Sequence, residues 1–574
     1  MSNPKYQALR AKDPSENTEE AGTMSQTVST IPSTHSSQHL MSPEVESVMT
    51  EEDRKSTRRG SEQELSFSSV TKSQWFTVAV LCFINLINYM DRFTIAGVLT
   101  DIQDSFNIQD DEGGLLQTVF ILSYMIFAPI FGYLGDRYSR KAIMAFGITL
   151  WGATTLLGSF MNSFGWFIAF RAFVGIGEAS YSTIAPTILS DLFVHDLRSK
   201  MLAVFYFAIP VGSGLGYIVG SETAKALGSW HWALRVTPAL ALVAVVLLFF
   251  IDEPERGQSE GSSHMQTTSY VEDVKDVCKN KSFMLSTAGF TCVAFVAGAL
   301  AWFGPKFMHL GLKMQPGKEN IQLNEVSYKF GIVAMLAGLI GVPLGSALAQ
   351  RLRPIDSTCD PLICAFGLIT SAPCVYLALV VAKYNANWCF FFVFCAQLTL
   401  NLCWSIVADM LLYVVVPTRR STAEAFQILI SHAFGDAGSP YLVGVISESI
   451  KVVLRRDTAS SNFGRGPLES LSQLGENATT TIASLIAPED STTVKFTALQ
   501  YSLFTTSFVE VLGGVFFLLT AAYILKDRAN VDRAVAASEH LEKESAQVNT
   551  SNQYVNEANE VSESSGSTDM SVDN

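Results

Sequence analysis

Twelve long apolar segments limit what this chain can fold into more than any other feature. Each segment has about 20 residues, enough for a helix to cross the hydrocarbon core of a bilayer. Only 16% of the residues are charged, well below the roughly 25% of a soluble domain. We therefore predict twelve membrane spans, near residues 74–99, 114–134, 141–162, 164–189, 201–221, 232–251, 284–308, 329–349, 361–382, 388–413, 422–447 and 500–525.

The second half of this membrane region repeats a pattern from the first half. The stretch GLGYIVG at 214–220 returns as GSPYLVG at 438–444, and both copies lie inside apolar segments. A parallel repeat of this size is typical of transporters that consist of two similar halves. The predicted fold class is an all-α membrane protein, with twelve transmembrane helices in two pseudo-symmetric six-helix bundles.

The net charge of −14 comes mainly from the two ends of the chain. Both ends are rich in Ser, Thr, Glu and Asn and have little apolar periodicity, which predicts disordered, solvated tails. The predicted organisation is a cytosolic tail, a first bundle, a cytosolic linker, a second bundle and an acidic cytosolic tail, at residues 1–70, 71–251, 252–283, 284–528 and 529–574.

Basic residues between the predicted spans cluster in alternate loops, whereas the intervening loops are mostly acidic or neutral. The positive-inside rule then places both termini and the 252–283 linker in the cytosol. The loop at about 452–496 lies on the opposite face and contains a glycosylation triplet at Asn477. Similar triplets also occur on the predicted cytosolic side, so this signal is weak.

The sequence contains no motif for a bound cofactor or for covalent catalysis. The nine cysteines show no Cys-x-x-Cys spacing and fall mostly in apolar segments, which predicts small buried residues rather than a metal site. Walker loops, dinucleotide fingerprints and zinc signatures are absent from the sequence, as is a nucleophile–base pair. We expect a protein that is not an enzyme and that draws energy from an ion gradient or from the gradient of its substrate.

A glycine-rich loop, GYLGDRYSRK at 132–141, joins the second and third predicted spans. It resembles the signature loop of the major facilitator superfamily, although Ser139 replaces a usual glycine. Small residues let helices approach closely, and an acidic group can form a contact across the bundles in only one state. The predicted gating residues are Gly132, Asp136, Arg137 and Arg140. The alternative is a topological anchor without a gating role.

Four charged residues lie inside the first and fourth predicted spans, where a charge is costly and is rarely kept without a role. Asp91 and Arg92 are adjacent in the first span, while Arg171 and Glu178 lie two turns apart on one face of the fourth. Two buried carboxylates would compete for one guanidinium, so that one could load and release a proton near neutral pH. The alternative is a static salt bridge.

His432 and Asp436 lie four residues apart in the eleventh predicted span and therefore share a helix face. The imidazole could relay a proton or contact a charged head group, or it could be a hydrogen-bonded packing residue. Glu424, Glu448 and Glu510 lie nearer the predicted helix ends and are expected to be hydrated structural residues.

Several motifs together are similar to those of the spinster family. They are INYMDRFTIAGVL at 87–99, GYLGDRYSRK at 132–141, VGIGEASYSTIAPT at 174–187, FYFAIPVGSGLGYI at 205–218, WHWALRVTP at 230–238, ADMLLYVVVPTRRSTAEAFQ at 408–427 and GDAGSPYLVG at 435–444. The stretch STAEAFQ at 421–427 is closer to the lysosomal lysophospholipid branch than to the sphingosine-1-phosphate exporter branch.

The resemblance implies proton-linked movement of lysophospholipids or sphingolipids from the lumen of lysosomes or late endosomes to the cytosol. It implies proton coupling at Asp91 and Glu178, charge partners at Arg92 and Arg171, and a substrate cavity that includes Asn88, Tyr89, Gln397 and His432. One departure is that this chain has Ala396-Gln397 where family members commonly carry Gly-Glu. A neutral amide there puts in doubt any proton step that relies on that carboxylate.

The expected partners are the lipid substrate and the bilayer, with no nucleic acid, and the protein is expected to act as a monomer. No cofactor is expected, and the proton is the coupling ion. The expected location is the lysosomal or late endosomal membrane, and the stretch YQAL at 6–9 has the form of a sorting signal. The alternatives are a plasma-membrane exporter of sphingosine-1-phosphate and a non-transporting sensor of lipid or pH.

Overall fold

The computed structural model describes residues 70–193, 195–251, 253–254, 270–416, 419–463 and 491–565. The regular secondary structure of these residues is helical. The helices are α1 Lys72–Gly97, α2 Leu99–Phe106, α3 Asp110–Arg137, α4 Arg140–Gly158, α5 Phe164–Leu192, α6 His195–Leu227, α7 Trp230–Leu248, α8 Tyr270–Lys279, α9 Lys281–Lys313, α10 Leu323–Leu352, α11 Cys359–Val381, α12 Ala386–Leu400, α13 Cys403–Val414, α14 Arg420–Ser431, α15 Gly438–Phe463 and α16 Thr492–Ser565.

Within the described residues, eleven helical segments are long and apolar enough to cross a membrane. The predicted span that is not among these eleven is the fourth, 164–189, and it corresponds to α5, which has 29 residues and contains Arg171 and Glu178. Two predicted spans are interrupted helices. The tenth consists of α12 and α13, and the eleventh consists of α14, a π-helical turn at His432–Asp436 and α15. The predicted all-α membrane fold is confirmed.

Short polar side chains begin several of these helices by accepting hydrogen bonds from exposed backbone N–H groups. The Thr71 hydroxyl accepts from the backbone N–H of Gln74 at the start of α1, and the Asn280 side chain accepts from that of Phe283 at 3.0 Å. The Asn280 cap begins α9 at Lys281, three residues before the predicted span. Helix boundaries are therefore set by capping residues as well as by hydropathy.

Two segments are more helical than the sequence analysis predicts. Helix α8 lies inside the predicted linker 252–283, and α16 continues to Ser565 through most of the tail predicted to be disordered, 529–574. The tail contains many Ala and Glu residues, which favour helices, and extending a helix costs less than starting one. The 1–69 segment, with its YQAL stretch, and Asn477 lie outside the described residues.

Helices α1 to α7 form the first bundle, and helices α9 to α16 form the second. One apolar cluster lies within the first bundle around Trp151 and Tyr181, and another lies within the second around Phe283 and Ile406. A third cluster contains residues of both bundles. In this cluster the Tyr217 ring packs edge-on against Phe330 with the ring centroids 5.2 Å apart. The two bundles therefore share a continuous packed interface.

Ion pairs join the bundles at one end of the molecule, where α1 ends and α3 begins. Asp110, at the start of α3, is 1% exposed. One of its carboxylate oxygens pairs with Lys306 of α9, and the other pairs with Lys451 of α15 at 2.8 Å. The Ser447 hydroxyl donates to the same carboxylate at 2.9 Å, and the Trp302 indole donates to the Gly113 carbonyl at 3.0 Å. We call this the closed end.

The opposite end has ion pairs of a different kind. Arg353 pairs there with Asp360 and Asp409, both in the second bundle, at 2.9 Å. Arg140 pairs with Asp191, and both belong to the first bundle. These three ion pairs therefore stay within one bundle. We call this end the open end, because its named ion pairs do not link the two bundles.

Glycines allow the close approach of backbones at the closed end. A Cβ atom on Gly114 would lie 2.3 Å from the backbone oxygen of Pro440 in the other bundle. A Cβ atom on Gly132, at the open end of the same helix, would meet no atom within 4 Å. The closed end therefore requires glycine at position 114, whereas the open end leaves position 132 free in this state.

Gly114→Ala is expected to shift the protein away from the state with a closed end, because the added methyl group cannot fit against the Pro440 backbone. The measurement is the rate at which a membrane-impermeant maleimide labels a Val443→Cys reporter, since Val443 is fully buried at this interface. We expect about fivefold faster labelling or more, the change that ~1 kcal/mol produces. Gly132→Ala is the matched control, and equal labelling rates in the two variants would contradict the prediction.

Candidate functional site

Four ionisable residues in the first bundle form two crossed ion pairs. Asp91 lies 3.6 Å from Arg171, measured between Oδ2 and a terminal guanidinium nitrogen. Glu178 lies 3.1 Å from Arg92. The expectation that two carboxylates compete for one guanidinium is therefore wrong, because each has its own arginine. Successive residues on a helix point about 100° apart, so Asp91 and Arg92 face different partners on α5.

Asp91 sits where α1, α4, α5 and α7 meet and is 1% exposed. Thr237 of α7 donates a hydrogen bond to one carboxylate oxygen, and Thr155 of α4 donates to the other at 3.4 Å. The nitrogen atoms of Arg171 have no hydrogen-bond partner among the described residues. The Asp91 carboxylate thus has one ion-pair partner and two hydroxyl donors, and it is the counter-charge of Arg171.

Glu178 is fully buried on α5, and the side chains that contact its carboxylate come from α1. Besides its ion pair with Arg92, it accepts two hydrogen bonds from the Asn88 amide at 2.8 and 3.0 Å, with that amide assigned so that its nitrogen faces the carboxylate. Asn88 and Arg92 are one turn apart on α1, so their side chains point the same way. This carboxylate therefore has charged and neutral donors from one helix face.

One aromatic ring lies between the two arginines. The Phe120 ring centroid is 4.6 Å from the guanidinium carbon of Arg171 and 4.9 Å from that of Arg92. Tyr89 and Tyr124 also place their rings near Arg92, at 4.9 and 5.8 Å. Cations are attracted to aromatic faces, so these rings help to hold two like charges inside one bundle.

The second bundle contributes His432 on the opposite side of the interface. Its Nδ1 lies 2.8 Å from Asp436 Oδ1, which confirms that the two side chains share a helix face. The His432 ring packs edge-on against Tyr124 with the centroids 6.4 Å apart. Both His432 and Asp436 belong to the π-helical turn, a feature frequent at functional sites. Tyr124 therefore connects the charged cluster of the first bundle with this histidine.

Gln397 lies apart from these residues. It lines a small apolar cavity inside the second bundle together with residues such as Phe307, Val375 and Leu503. Among the described residues, no hydrogen bond or ion pair joins its side chain to the four charged residues of the first bundle. The structure thus brings together Asn88, Tyr89 and His432 near the charges, and it places Gln397 elsewhere.

The predicted gating loop lies at the open end and makes contacts within the first bundle. Arg140 pairs with Asp191, and its backbone N–H donates to Glu253 at 2.7 Å. The Arg137 guanidinium carbon lies 4.1 Å from the ring centroid of Tyr133, one turn earlier. The Asp136 side chain lies outside the described part of the chain. The gating role of the loop stays a prediction.

Sequence reasoning missed several residues of these clusters, namely Phe120, Tyr124, Thr155, Thr237, Asp110, Lys306 and Lys451. Three of them carried a signal, because Lys306 is a lone charge in an apolar segment and Phe120 and Tyr124 are spaced one helical turn apart. Within the described residues, no group of three or more His, Cys, Asp or Glu side chains could hold a metal ion. The chemistry available to the cluster is therefore proton exchange and ion pairing.

The chain is similar to known membrane transporters. Residues 81–436 match the sequence model of the Major Facilitator Superfamily. Over 483 residues the chain is 63% identical to Protein spinster of Drosophila melanogaster, covering 82% of this chain and 80% of that protein. It is 49% identical over 463 residues to Protein spinster homolog 1 of Homo sapiens, covering 79% of this chain and 81% of that protein.

Solved structures share the fold. A bacterial homolog to the human lysosomal transporter Spinster, in an inward-facing and unoccupied conformation, matches with a TM-score of 0.67 at 21% identity, covering 80% of this chain and 99% of that one. The nucleoside transporter NupG matches with a TM-score of 0.52 at 12% identity, covering 77% of this chain and 98% of that one. At these identities the likeness concerns the fold alone.

Double-mutant cycles on folding stability in detergent test the crossed pairing. We expect Asp91→Asn with Arg171→Gln, and Arg92→Gln with Glu178→Gln, each to show a coupling free energy of about 0.5–3 kcal/mol. Asp91→Asn with Arg92→Gln should couple more weakly, because these neighbours face different partners. Stronger coupling between Asp91 and Arg92 than within either crossed pair would rule the arrangement out.

Proposed function

Because the chain belongs to the spinster family of the major facilitator superfamily, we propose that it moves lysophospholipids or related sphingolipids by proton-coupled alternating access. The chain is a multi-pass membrane transporter, and the proposal concerns its cargo, coupling ion and direction. The observation that carries it is the buried pair of Glu178 and Arg92 beside the aromatic rings that connect to the second bundle.

A proton on Glu178 would weaken its ion pair with Arg92, since a neutral carboxyl attracts a guanidinium far less than a carboxylate does. The released guanidinium could then bind an anionic head group, because Arg presents several donors in the geometry that phosphate oxygens accept. The neighbouring rings of Tyr89 and Tyr124 offer apolar surface to the first part of the acyl chain. Proton binding and cargo binding would thereby favour one another.

Alternating access requires the closed end to open. Asp110 forms ion pairs with Lys306 and Lys451 of the second bundle, and it would separate from both lysines. Leaving one member of a buried ion pair uncompensated costs about 3–5 kcal/mol, so water has to reach these groups as the end opens. The closed end is thus a switch between a stable sealed state and a hydrated open state.

The positive-inside rule supports an open end that faces the cytosol. The bacterial protein of similar fold is described as a homolog to a human lysosomal transporter, and this supports the same compartment here. A pH difference of ~2 units across such a membrane supplies roughly 2.7 kcal/mol per proton. With the acid on the luminal side, protons and cargo would move together toward the cytosol as a symport.

The decisive experiment is the uptake of labelled lysophosphatidylcholine into proteoliposomes, with and without an imposed pH gradient. One coupled proton at ~2 pH units allows an accumulation ratio of up to about a hundredfold. Sphingosine-1-phosphate and sphingosine are run in parallel, so that transport of sphingosine-1-phosphate alone favours the exporter alternative. Gradient-independent exchange of every lipid would contradict proton coupling.

Asp91→Asn and Glu178→Gln are each expected to abolish the response of uptake to the pH gradient while leaving gradient-independent exchange. The reason is that either change removes an ionisable partner from one of the two buried pairs. Glu272→Gln on exposed α8 is the matched control and should keep the full response. Unchanged pH-driven accumulation in both site variants would show that the coupling proton binds elsewhere.

A further inference from the structure

Glu510 is a buried acid in the second bundle that plays no part in the mechanism above. The sequence analysis expects it to be hydrated near a helix end, and this expectation is wrong, because the side chain lies in the interior of α16 with 0% exposure. Its Oε1 atom lies 2.6 Å from the Ser371 hydroxyl of α11. Its Oε2 atom has no hydrogen-bond partner among the described residues.

The hydrogen bonds of Ser371 favour the protonated form of this acid. The hydroxyl oxygen of Ser371 lies 3.1 Å from the Ala396 carbonyl oxygen as well as 2.6 Å from Glu510. A hydroxyl has one hydrogen, whereas a carbonyl oxygen and an ionised carboxylate can only accept. Both contacts are satisfied when protonated Glu510 donates to Ser371 and Ser371 donates to Ala396.

The surroundings of Glu510 also favour the neutral acid. The thiol of Cys374 on α11 is close enough to Glu510 to interact with it electrostatically, and Cys292 of α9 packs against Gly513, one helical turn from Glu510. The buried cation of α15, Lys451, is engaged with Asp110 and Glu448. No described cation lies within ion-pairing distance of Glu510. An ionised carboxylate without a counter-charge is very costly in such a place.

We propose that Glu510 is a second proton-binding site of this transporter, located in the second bundle and loaded in the state with a closed end. The proposal rests on the proton coupling proposed above and adds a proton to it. The acid would release its proton when the helices around it separate and water solvates the carboxylate.

A cavity supplies the place where that separation can begin. An apolar cavity of about 50 Å³ is lined by Val375, Ala396, Gln397 and Leu503, among others. Leu503 lies two helical turns from Glu510 on α16, and Val375 lies one turn from Ser371 on α11, so these residues share faces. An apolar lining gives water no hydrogen-bond partners, so hydration of Glu510 would require α11, α12 and α16 to move apart.

Infrared spectroscopy tests the protonation directly, on the full-length protein in lipid. A protonated carboxylic acid shows a C=O stretching band that an ionised carboxylate lacks. We expect this band at neutral pH in the wild type, its loss in Glu510→Gln, and a frequency shift in Ser371→Ala. Glu448→Gln is the control, because Glu448 pairs with Lys451 and should leave the band unchanged. A wild-type spectrum in which Glu510→Gln removes no band overturns the proposal.

Equilibrium accumulation of lysophosphatidylcholine tests release of the proton. Two coupled protons change the accumulation ratio about a hundredfold per pH unit, and Glu510→Gln should reduce this to about tenfold. If the band depends on Glu510 but the variant keeps the wild-type slope, Glu510 is a static acid and only this inference fails. If the wild type itself shows no pH response while the band is present, the proposed proton coupling fails together with the release step.

Discussion

The ion pairs of Asp110 with Lys306 and Lys451 hold the two bundles together at the closed end, and the conformation of the molecule depends on them. One carboxylate of the first bundle neutralises two lysines of the second, and the backbones beside it touch through Gly114 and Gly444. A charged group inside a membrane protein is stable only with a counter-charge or with water. Because the three charges satisfy one another, the closed end is dry and sealed. The open end has its ion pairs inside each bundle and is free to part.

The crossed ion pairs of the first bundle also give each buried charge a counter-charge, but they do not join the two bundles. Their partners lie on α1 and α5 of one bundle, so the bundles can rotate without breaking them. They respond to protonation and to a charged ligand rather than to the relative position of the bundles. Tyr124 lies between the charged residues of the first bundle and the second bundle, since its ring lies near both Arg92 and His432. Tyr124 therefore connects the ion pair of Arg92 with the bundle interface.

The sequence predicts the spans, the two bundles and the four charged residues, because hydropathy and charge burial are properties of single segments. It does not predict the pairing of those charges, which depends on the rotation of α1 relative to α5. Asp110 lies just outside a predicted span, and its partners are 196 and 341 residues away. The burial of Glu510 depends on α9 and α11 packing against α16. These relations are tertiary, and no local pattern encodes them.

The two bundles repeat one another in fold but not in electrostatics. In the first bundle, each carboxylate has its own arginine, so that in the proposed mechanism a proton on the carboxylate would free a positive charge for an anionic head group. In the second bundle, Glu510 has no cation, so that the proton is held until water arrives. Under the two proposals, a proton on the first site would change what the cavity can bind, whereas a proton on the second would stabilise one packing of the helices. Coupling both sites to one interface links cargo affinity to the position of the bundles, which is the requirement for a gradient to drive transport in one direction.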